Sequence, residues 1–119
     1  MPPAGITVQI FGTMKNADTR KALRFFAERR VQTHFVDLQE RAASVGELRR
    51  FAQKFGVEKL IDRESKRFAV LGLRTALYGE ERWLAILAEE PLMLRQPLVR
   101  MKEKLVIGVE EGVWREWVG

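Results

Sequence analysis

Cysteine is absent from this chain of 119 residues, and histidine occurs once, as His34. Without cysteine the chain has no disulfide bonds, no thiolate metal ligands and no cysteine nucleophile of its own. His34 has no second ligand residue at metal-binding spacing, so we predict no metal site. The sequence also lacks the GxGxxG and GxxxxGK patterns of nucleotide-binding loops. We therefore expect no cofactor.

Long apolar runs are missing as well. No uncharged stretch approaches the roughly 20 residues that a transmembrane helix requires, so we predict no association with a membrane. Residues 1–5 contain no basic segment followed by an apolar run, and we expect no signal peptide. A chain without cysteine is compatible with a reducing compartment. Together these features predict a cytoplasmic protein.

Basic and acidic residues are not separated into different parts of this sequence. The 21 basic residues exceed the 16 acidic ones and give a net charge of +5, yet the two signs are interleaved along the chain. A mixed surface of this kind is usually solvated. If it binds a macromolecule, we expect an acidic protein rather than nucleic acid, because neither a helix-turn-helix signature nor an aromatic platform is evident.

The N-terminal part of the chain predicts a strand, a helix and a second strand. Apolar and polar residues alternate over 6–11 with the period of two that indicates a strand. Asn16 or Asp18 is placed to cap the following helix. The apolar residues assigned to its buried face are Ala22, Leu23, Phe26 and Ala27. With a second strand over 31–38, the order forms a right-handed parallel unit.

A run of helices is predicted between about residues 44 and 90. Ser44 and Glu47 match a capping box, in which each side chain accepts a hydrogen bond from the other residue's backbone N–H. Gly56 marks the end of that helix. The further helical segments are 57–61, 65–71 and 79–89. The residues assigned to the buried face of the last segment are Trp83, Ile86 and Leu87.

The C-terminal part predicts an antiparallel hairpin and a closing helix. Residues 97–101 and 104–107 flank the polar pair Lys102-Glu103. The residues assigned to the buried face of the closing helix are Val109, Val113, Trp114, Trp117 and Val118. Trp117, beside the terminus, is the tryptophan that we consider for an exposed contact site.

The predicted order is therefore β-α-β, helices, β-β-α. Such an order indicates an α/β fold in which a mixed four-stranded sheet is flanked by helices. A hydrophobic content of 46% is sufficient for one compact core. We predict a single domain over residues 1–119 with a helical insertion over about 44–90.

Three separated segments of the chain resemble the arsenate reductase (ArsC)/Spx/YffB family. The run Lys15-Asn16-Ala17-Asp18-Thr19 resembles the Lys-Asn-Cys-Asp-Thr run that is common there. Residues 90–99, EPLMLRQPLV, resemble the family's Pro-x-Leu-Leu-x-Arg-Pro-Ile/Leu-Val element, and residues 105–108 before a terminal helix resemble its ending. The resemblance implies a thioredoxin-like fold.

The resemblance also implies where reductases of the family carry out their chemistry. A cysteine thiolate attacks an oxyanion there, while arginines and helix N–H groups offset the two negative charges. The nucleophile falls on Ala17 in this sequence, and a methyl group cannot attack arsenic or sulfur. The arginine before the family's proline falls on Gln96, with Arg95 one residue earlier, and the upstream arginine falls near Arg63. For Pro97 the family geometry implies a cis peptide bond; the alternative is a trans proline at the start of a strand.

The candidate residues for binding a small anion or a partner follow from the helix start and from the resemblance. They are Lys15, Asn16, Thr19, Arg20, Arg63 and Arg95. Exposed N–H groups at the helix start favour an anion, whereas the charge of Asp18 opposes one. The alternative is structural, with Asn16 or Asp18 capping the helix and Lys15 solvated.

We interpret the chain as a non-catalytic ArsC/Spx-like binding or regulatory module that lacks the redox thiol. Spx is a transcriptional regulator that contacts RNA polymerase, so the resemblance implies a polymerase subunit as a candidate partner. The basic residues Arg20, Arg24 and Arg63 would then form the docking face. The alternative is an arsenate reductase-related oxidoreductase, or a protein that binds a small oxyanion or glutathione and uses an external thiol.

Overall fold

The computed structural model describes residues 5–119, so the expectation about a signal peptide concerns residues that lie almost wholly outside it. The chain divides into two compact units. The first comprises the chain up to Asp37 together with Gln96–Gly119, and the second is Leu38–Arg95. The second unit contains the helices that were predicted as an insertion over about 44–90.

Among the residues described, four strands form the sheet of the first unit. They are β1 (Thr7–Gly12), β2 (Gln32–Asp37), β3 (Leu98–Met101) and β4 (Lys104–Ile107). They lie in the order β2-β1-β3-β4, with β1 and β2 parallel and the other neighbours antiparallel. Ile10 is paired with Phe35 on one side and with Val99 on the other. The predicted mixed four-stranded sheet is confirmed.

Five α-helices lie in the same part of the chain. They are α1 (Ala17–Glu28), α2 (Val45–Phe55), α3 (Lys66–Val70), α4 (Glu80–Glu89) and α5 (Glu111–Val118). The first unit contains α1 and α5, and the second contains the other three. None of the helices in residues 5–119 is long and apolar enough to span a membrane.

The core of the first unit is built from one face of the sheet and from the two helices. Trp114 of α5 is fully buried, with its ring centroid 5.3 Å from that of Phe25 and 5.4 Å from that of Phe26. Its indole Nε1 has no hydrogen-bond partner among residues 5–119. Trp117 is only 8% exposed, so the suggestion that it forms an exposed contact site is wrong.

The buried face of α1 differs from the predicted one at two positions. The residues that this helix buries are Thr19, Ala22, Phe25 and Phe26. Ala27 is exposed, whereas Leu23 is half-buried and packs against the core of this unit. Successive helical residues are rotated by about 100°, so Ala27 lies about 200° around the helix from Phe25 and points away from the core.

In the second unit, the predicted capping box starts α2. The Ser44 Oγ accepts a hydrogen bond from the Glu47 N–H at 3.1 Å, and the Glu47 Oε1 accepts one from the Ser44 N–H at 2.9 Å. The helix stops at Gly56, whose φ of 88° lies in the left-handed region that favours glycine. Short 3₁₀ turns follow at Val57–Leu60 and, after α4, at Pro91–Met93.

The core of the second unit is formed by side chains from its helices and 3₁₀ turns. Its fully buried members include Leu48, Phe51, Leu60, Leu84, Leu87 and Met93. Leu84 is buried, although the sequence analysis did not assign it to the buried face of α4. Ile86, which was assigned to that face, is half-buried. The two side chains are about 200° apart around α4, so they cannot both face the same core.

Candidate functional site

The turn between β1 and α1 is the place where the sequence analysis located the lost nucleophile. Asn16 is the N-cap of α1, and its Oδ1 accepts hydrogen bonds from the Thr19 N–H at 2.8 Å and from the Thr19 hydroxyl at 3.1 Å. The Asn16 N–H donates to the Thr13 carbonyl at 3.1 Å. Asn16 is thus the helix cap, which was the structural alternative to anion binding in the sequence analysis. Its side-chain oxygen accepts both hydrogen bonds within the turn.

Gly12 ends β1 in direct contact with the first turn of the helix. An ideal Cβ at position 12 would lie 2.2 Å from the Thr19 hydroxyl oxygen and 2.6 Å from its methyl carbon. No real side chain tolerates such distances, so the absence of a Cβ allows Thr19 to pack against the strand. Thr19 is fully buried there.

Gln96 joins this turn to the start of β3. Its Oε1 accepts a hydrogen bond from the Thr13 N–H at 2.7 Å and one from the Thr13 hydroxyl at 3.0 Å, and the Thr19 hydroxyl lies 3.3 Å away. The peptide bond between Gln96 and Pro97 is cis. The backbone donor at Thr13 requires an acceptor, so the carboxamide oxygen, and not its NH₂ group, faces the turn.

Thr13 and Thr19 are the two buried polar residues in the part of the chain that the structure describes. Both contact the same carboxamide oxygen. Buried polar groups require partners, and here a neutral side chain supplies them at the position where the resemblance implies an arginine. Sequence analysis did not identify Thr13 and treated Gln96 only as a missing arginine.

Ala17 is the first residue of α1 and is exposed. The backbone N–H groups of Ala17 and Asp18 have no acceptor among residues 5–119, as is normal for the first turn of a helix. Lys15 and Asp18 are exposed on either side of Ala17. The opposite charges of Lys15 and Asp18 offset each other.

Arg20 lies next to these residues but is turned back toward the loop. One guanidinium nitrogen, Nη1, donates a hydrogen bond to the Met14 carbonyl at 2.7 Å. The hydrogen bond ties the first turn of α1 to the loop before it. The contact gives Arg20 a structural role in the turn.

Arg63 and Arg95 belong to the second unit, and each has a partner there. Arg63 forms a bidentate ion pair with Glu58, in which its Nη2 lies 2.9 Å from Oε2. The hydrogen bond from Arg63 holds the pKa of the Glu58 carboxyl below its usual value, and the charge of Arg95 contributes in the same direction. The Nε of Arg95 donates to the Ile61 carbonyl at 3.3 Å. The structure therefore brings Lys15, Asn16, Thr19 and Arg20 together in one unit and places these two arginines in the other.

His34 lies on the exposed side of β2. Its Nδ1 is 3.4 Å from the Nε2 of Gln9 on the neighbouring strand. In residues 5–119, no three His, Cys, Asp or Glu side chains are grouped closely enough to hold a metal ion.

Comparison with known proteins identifies the family and finds one similar sequence. The model of the ArsC family matches residues 11–117. The uncharacterized protein YusI of Bacillus subtilis is 26% identical over 101 residues, which cover 82% of this chain and 86% of that protein.

Two solved structures show the same fold at low sequence identity. The YffB protein superposes with a TM-score of 0.84 at 18% identity, covering 94% of this chain and 99% of the other. Arsenate reductase from Vibrio cholerae superposes with a TM-score of 0.81 at 21% identity, covering 95% and 98% of the two chains. The similarity confirms the predicted thioredoxin-like fold.

Proposed function

Because the chain belongs to the ArsC family, we propose that it is a binding module that retains the family fold and performs no thiol chemistry of its own. One observation carries the proposal: Ala17 stands at the first position of α1, where the resemblance places the nucleophile. A methyl group forms no adduct with an oxyanion and cannot transfer electrons to arsenic. Since the chain has no cysteine at all, no other residue supplies the thiol.

The surroundings of Ala17 support the same proposal. The N–H and hydroxyl groups of Thr13 donate to Gln96, so an incoming anion would have to displace that carboxamide. Gln96 is neutral and cannot offset the charge of an oxyanion as an arginine does. Arg20 is held in part by the Met14 carbonyl. A negatively charged substrate would therefore gain little from this site.

A second candidate function is the binding of a small oxyanion or glutathione, with the thiol supplied from outside. The free N–H groups of Ala17 and Asp18 favour it, since a helix start attracts anions. The two candidates differ in a measurable way: the module binds a macromolecule and no small anion, whereas the alternative requires saturable binding of the anion or of glutathione.

The test combines an activity assay with calorimetry on the purified chain. Arsenate reduction is measured with glutathione and glutaredoxin supplied, and arsenate, phosphate and glutathione are each titrated into the protein. We expect no turnover above the rate without the protein and no saturable heat. Turnover with an external thiol would overturn the proposal, and saturable heat without turnover would favour the anion-binding alternative.

The variant Ala17→Cys tests whether the rest of the site lowers the pKa of a thiol at this position. We expect its thiol to titrate near the value of about 8.5 of a free cysteine, because the neutral Gln96 stands where the resemblance implies an arginine and adds no positive charge that would stabilise a thiolate. Reductases of this kind need a strongly lowered thiol pKa. A thiolate that forms well below neutral pH, together with recovered arsenate reduction, would mean that only the sulfur atom is missing.

Kinship with Spx makes RNA polymerase the first macromolecule to test. Purified polymerase is passed over the immobilised chain at low salt, where charge attraction is screened least. Retention of the enzyme would support a role in transcription. Failure to retain it would exclude that partner and leave the binding module without one.

A further inference from the structure

The second unit carries most of the exposed large apolar side chains that the structure describes. Six large apolar side chains are exposed among residues 5–119, and four of them lie in this unit: Val70, Leu71, Leu77 and Leu92. Val70 is 72% exposed and Leu77 is 98% exposed. Single exposed apolar residues are normal on protein surfaces, whereas three of them within residues 70–77 favour an interaction site on this segment.

Unpaired positive charges accompany these side chains. Residues 65–79 contain Lys66, Arg67 and Arg74 and no acidic residue. Arg67 is neutralised by Glu90, with its Nε 2.6 Å from Oε2. Lys66 and Arg74 have no acidic partner in the part of the chain that the structure describes. We call Lys66, Val70, Leu71, Arg74 and Leu77 the 66–77 surface.

The backbone that carries this surface is fixed at both ends. Phe68 of α3 is buried, and its N–H donates to the capping Ser65 hydroxyl at 3.1 Å. At the other end, the Tyr78 ring packs edge-on against the buried Trp83, with centroids 5.3 Å apart. Between these anchors the Ala76 N–H donates to the Leu73 carbonyl at 3.0 Å. A surface held in this way loses little further conformational entropy when it binds.

We propose that the 66–77 surface binds an acidic protein segment that carries apolar side chains. Carboxylates of the segment would approach Lys66 and Arg74, while its aliphatic side chains would cover Val70, Leu71 and Leu77. Charge complementarity of this type accelerates association and selects the partner, and burial of the apolar groups supplies affinity.

Other occupants fit the observations less well. A symmetric contact with a second copy would bring two basic surfaces together, and like charges oppose it. Single-stranded RNA is bound through aromatic platforms, but the exposed apolar side chains here are aliphatic. Anionic membranes are recognised by clusters of about four to eight basic residues, whereas this surface offers two unpaired cations.

The inference goes beyond the proposed function, because an enzyme could carry such a surface as well. The two are tested by separate experiments, so the failure of one leaves the other intact. The arsenate and glutathione assays concern the turn before α1. The experiment below concerns peptide binding by the second unit in the full chain.

The experiment begins with short random peptides displayed on phage and selected on the immobilised wild-type chain. The recovered sequences are synthesised with a fluorescent label, and their binding is measured by anisotropy. We expect the recovered peptides to be enriched in Asp or Glu together with Leu, Ile or Phe, and to bind more weakly at high salt. The variants Val70→Ser/Leu77→Ser and Lys66→Glu/Arg74→Glu should each weaken binding by about tenfold or more.

The controls exchange exposed residues of the same chemical types in the first unit. The variants Met14→Ser/Val113→Ser and Lys21→Glu/Arg115→Glu should bind the same peptides as the wild type does. Circular dichroism of every variant establishes that the fold is kept.

Five results would overturn the proposal. Selection could yield no acidic-apolar peptides, or peptides that bind the surface variants as tightly as the wild type. Vesicles of phosphatidylcholine and phosphatidylserine, or a single-stranded RNA, could bind through this surface in place of such peptides. Sedimentation could detect a dimer that Val70→Ser/Leu77→Ser abolishes.

Discussion

The carboxamide oxygen of Gln96 accepts a hydrogen bond from the backbone N–H of Thr13 at 2.7 Å, across 83 positions of the chain. The bond joins the start of β3 to the turn that precedes α1. In this chain the turn is therefore held by an uncharged side chain at the position where the resemblance implies an arginine.

The first prediction concerns Gln96 itself. Gln96→Ala removes the acceptor shared by the Thr13 N–H and the Thr13 hydroxyl. A part-buried donor left without a partner costs about 1–3 kcal/mol, so the free energy of unfolding should fall by that amount in urea titrations. Gln53→Ala is the control, because Gln53 is exposed on α2, and it should change stability by less than about 0.5 kcal/mol. Equal effects of the two variants would mean that the turn does not depend on Gln96.

The second prediction concerns the contact between Gly12 and Thr19. In Gly12→Ala the new methyl group would meet the Thr19 side chain at 2.2–2.6 Å, and relief of this overlap should cost about 1–3 kcal/mol of stability. Gly112→Ala provides the matched control, because a Cβ there meets no atom of residues 5–119 within 4 Å. That variant should stabilise the protein by about 0.4–1 kcal/mol. Thermal and urea unfolding of both variants would reveal the opposite signs, and a harmless Gly12→Ala would contradict the close approach.

The third prediction concerns the start of α2. Ser44→Ala leaves the Glu47 N–H without its side-chain acceptor and should destabilise the protein by about 1 kcal/mol. Glu47→Gln should cost less, because glutamine also serves as the reciprocal acceptor of a capping box. The order of the two urea midpoints tests the assignment. A larger loss in Glu47→Gln would assign the stabilisation to the charge of Glu47.

The fourth prediction concerns the pH dependence of stability. The hydrogen bond from Arg63 lowers the pKa of Glu58 from its ordinary value of 4.5. A carboxylate with a lower pKa in the folded state stabilises that state above the unfolded pKa, and the stabilisation is lost as the pH falls through the folded pKa. The free energy of unfolding should therefore decrease below about pH 4.5, in part because of this pair.

Variants of the pair isolate its contribution. Glu58→Gln and Arg63→Gln should each reduce the loss of stability in acid, and the double variant should reduce it no further than either single one. The effect is expected to be small, because both side chains are exposed. If Arg63→Gln retained the full acid dependence of the wild type, the ion pair would not be its source.

Local signals predicted most of the fold. The strands, the hairpin and the capping box at Ser44 depend on residues that are close in sequence, so their patterns are visible without tertiary information. In the sequence analysis, Ala27 was assigned to a buried face instead of Phe25, and Ile86 instead of Leu84. These errors arose because each short helix contains several apolar residues. Which of them is buried depends on the elements that pack against the helix, and the sequence does not give that packing direction.

The candidate site was less predictable than the fold. The partners of Gln96 lie 83 and 77 positions away, and no local pattern connects such residues. Arg63 was a candidate because it lies near the position of a family arginine. In the structure its guanidinium forms an ion pair with Glu58, five positions earlier. A Gly-Thr pair after a strand and a glutamine before a proline were the available signals for the Thr13 contact, and neither is specific.

The three buried tryptophans give each unit an intrinsic fluorophore, since Trp83 lies in the second unit and Trp114 and Trp117 lie in the first. Emission from Trp83→Phe would come from the sheet-containing unit alone, while the wild-type spectrum combines both. Overlay of the two denaturation curves would then tell whether the sheet and the helical region melt as one cooperative body or in succession.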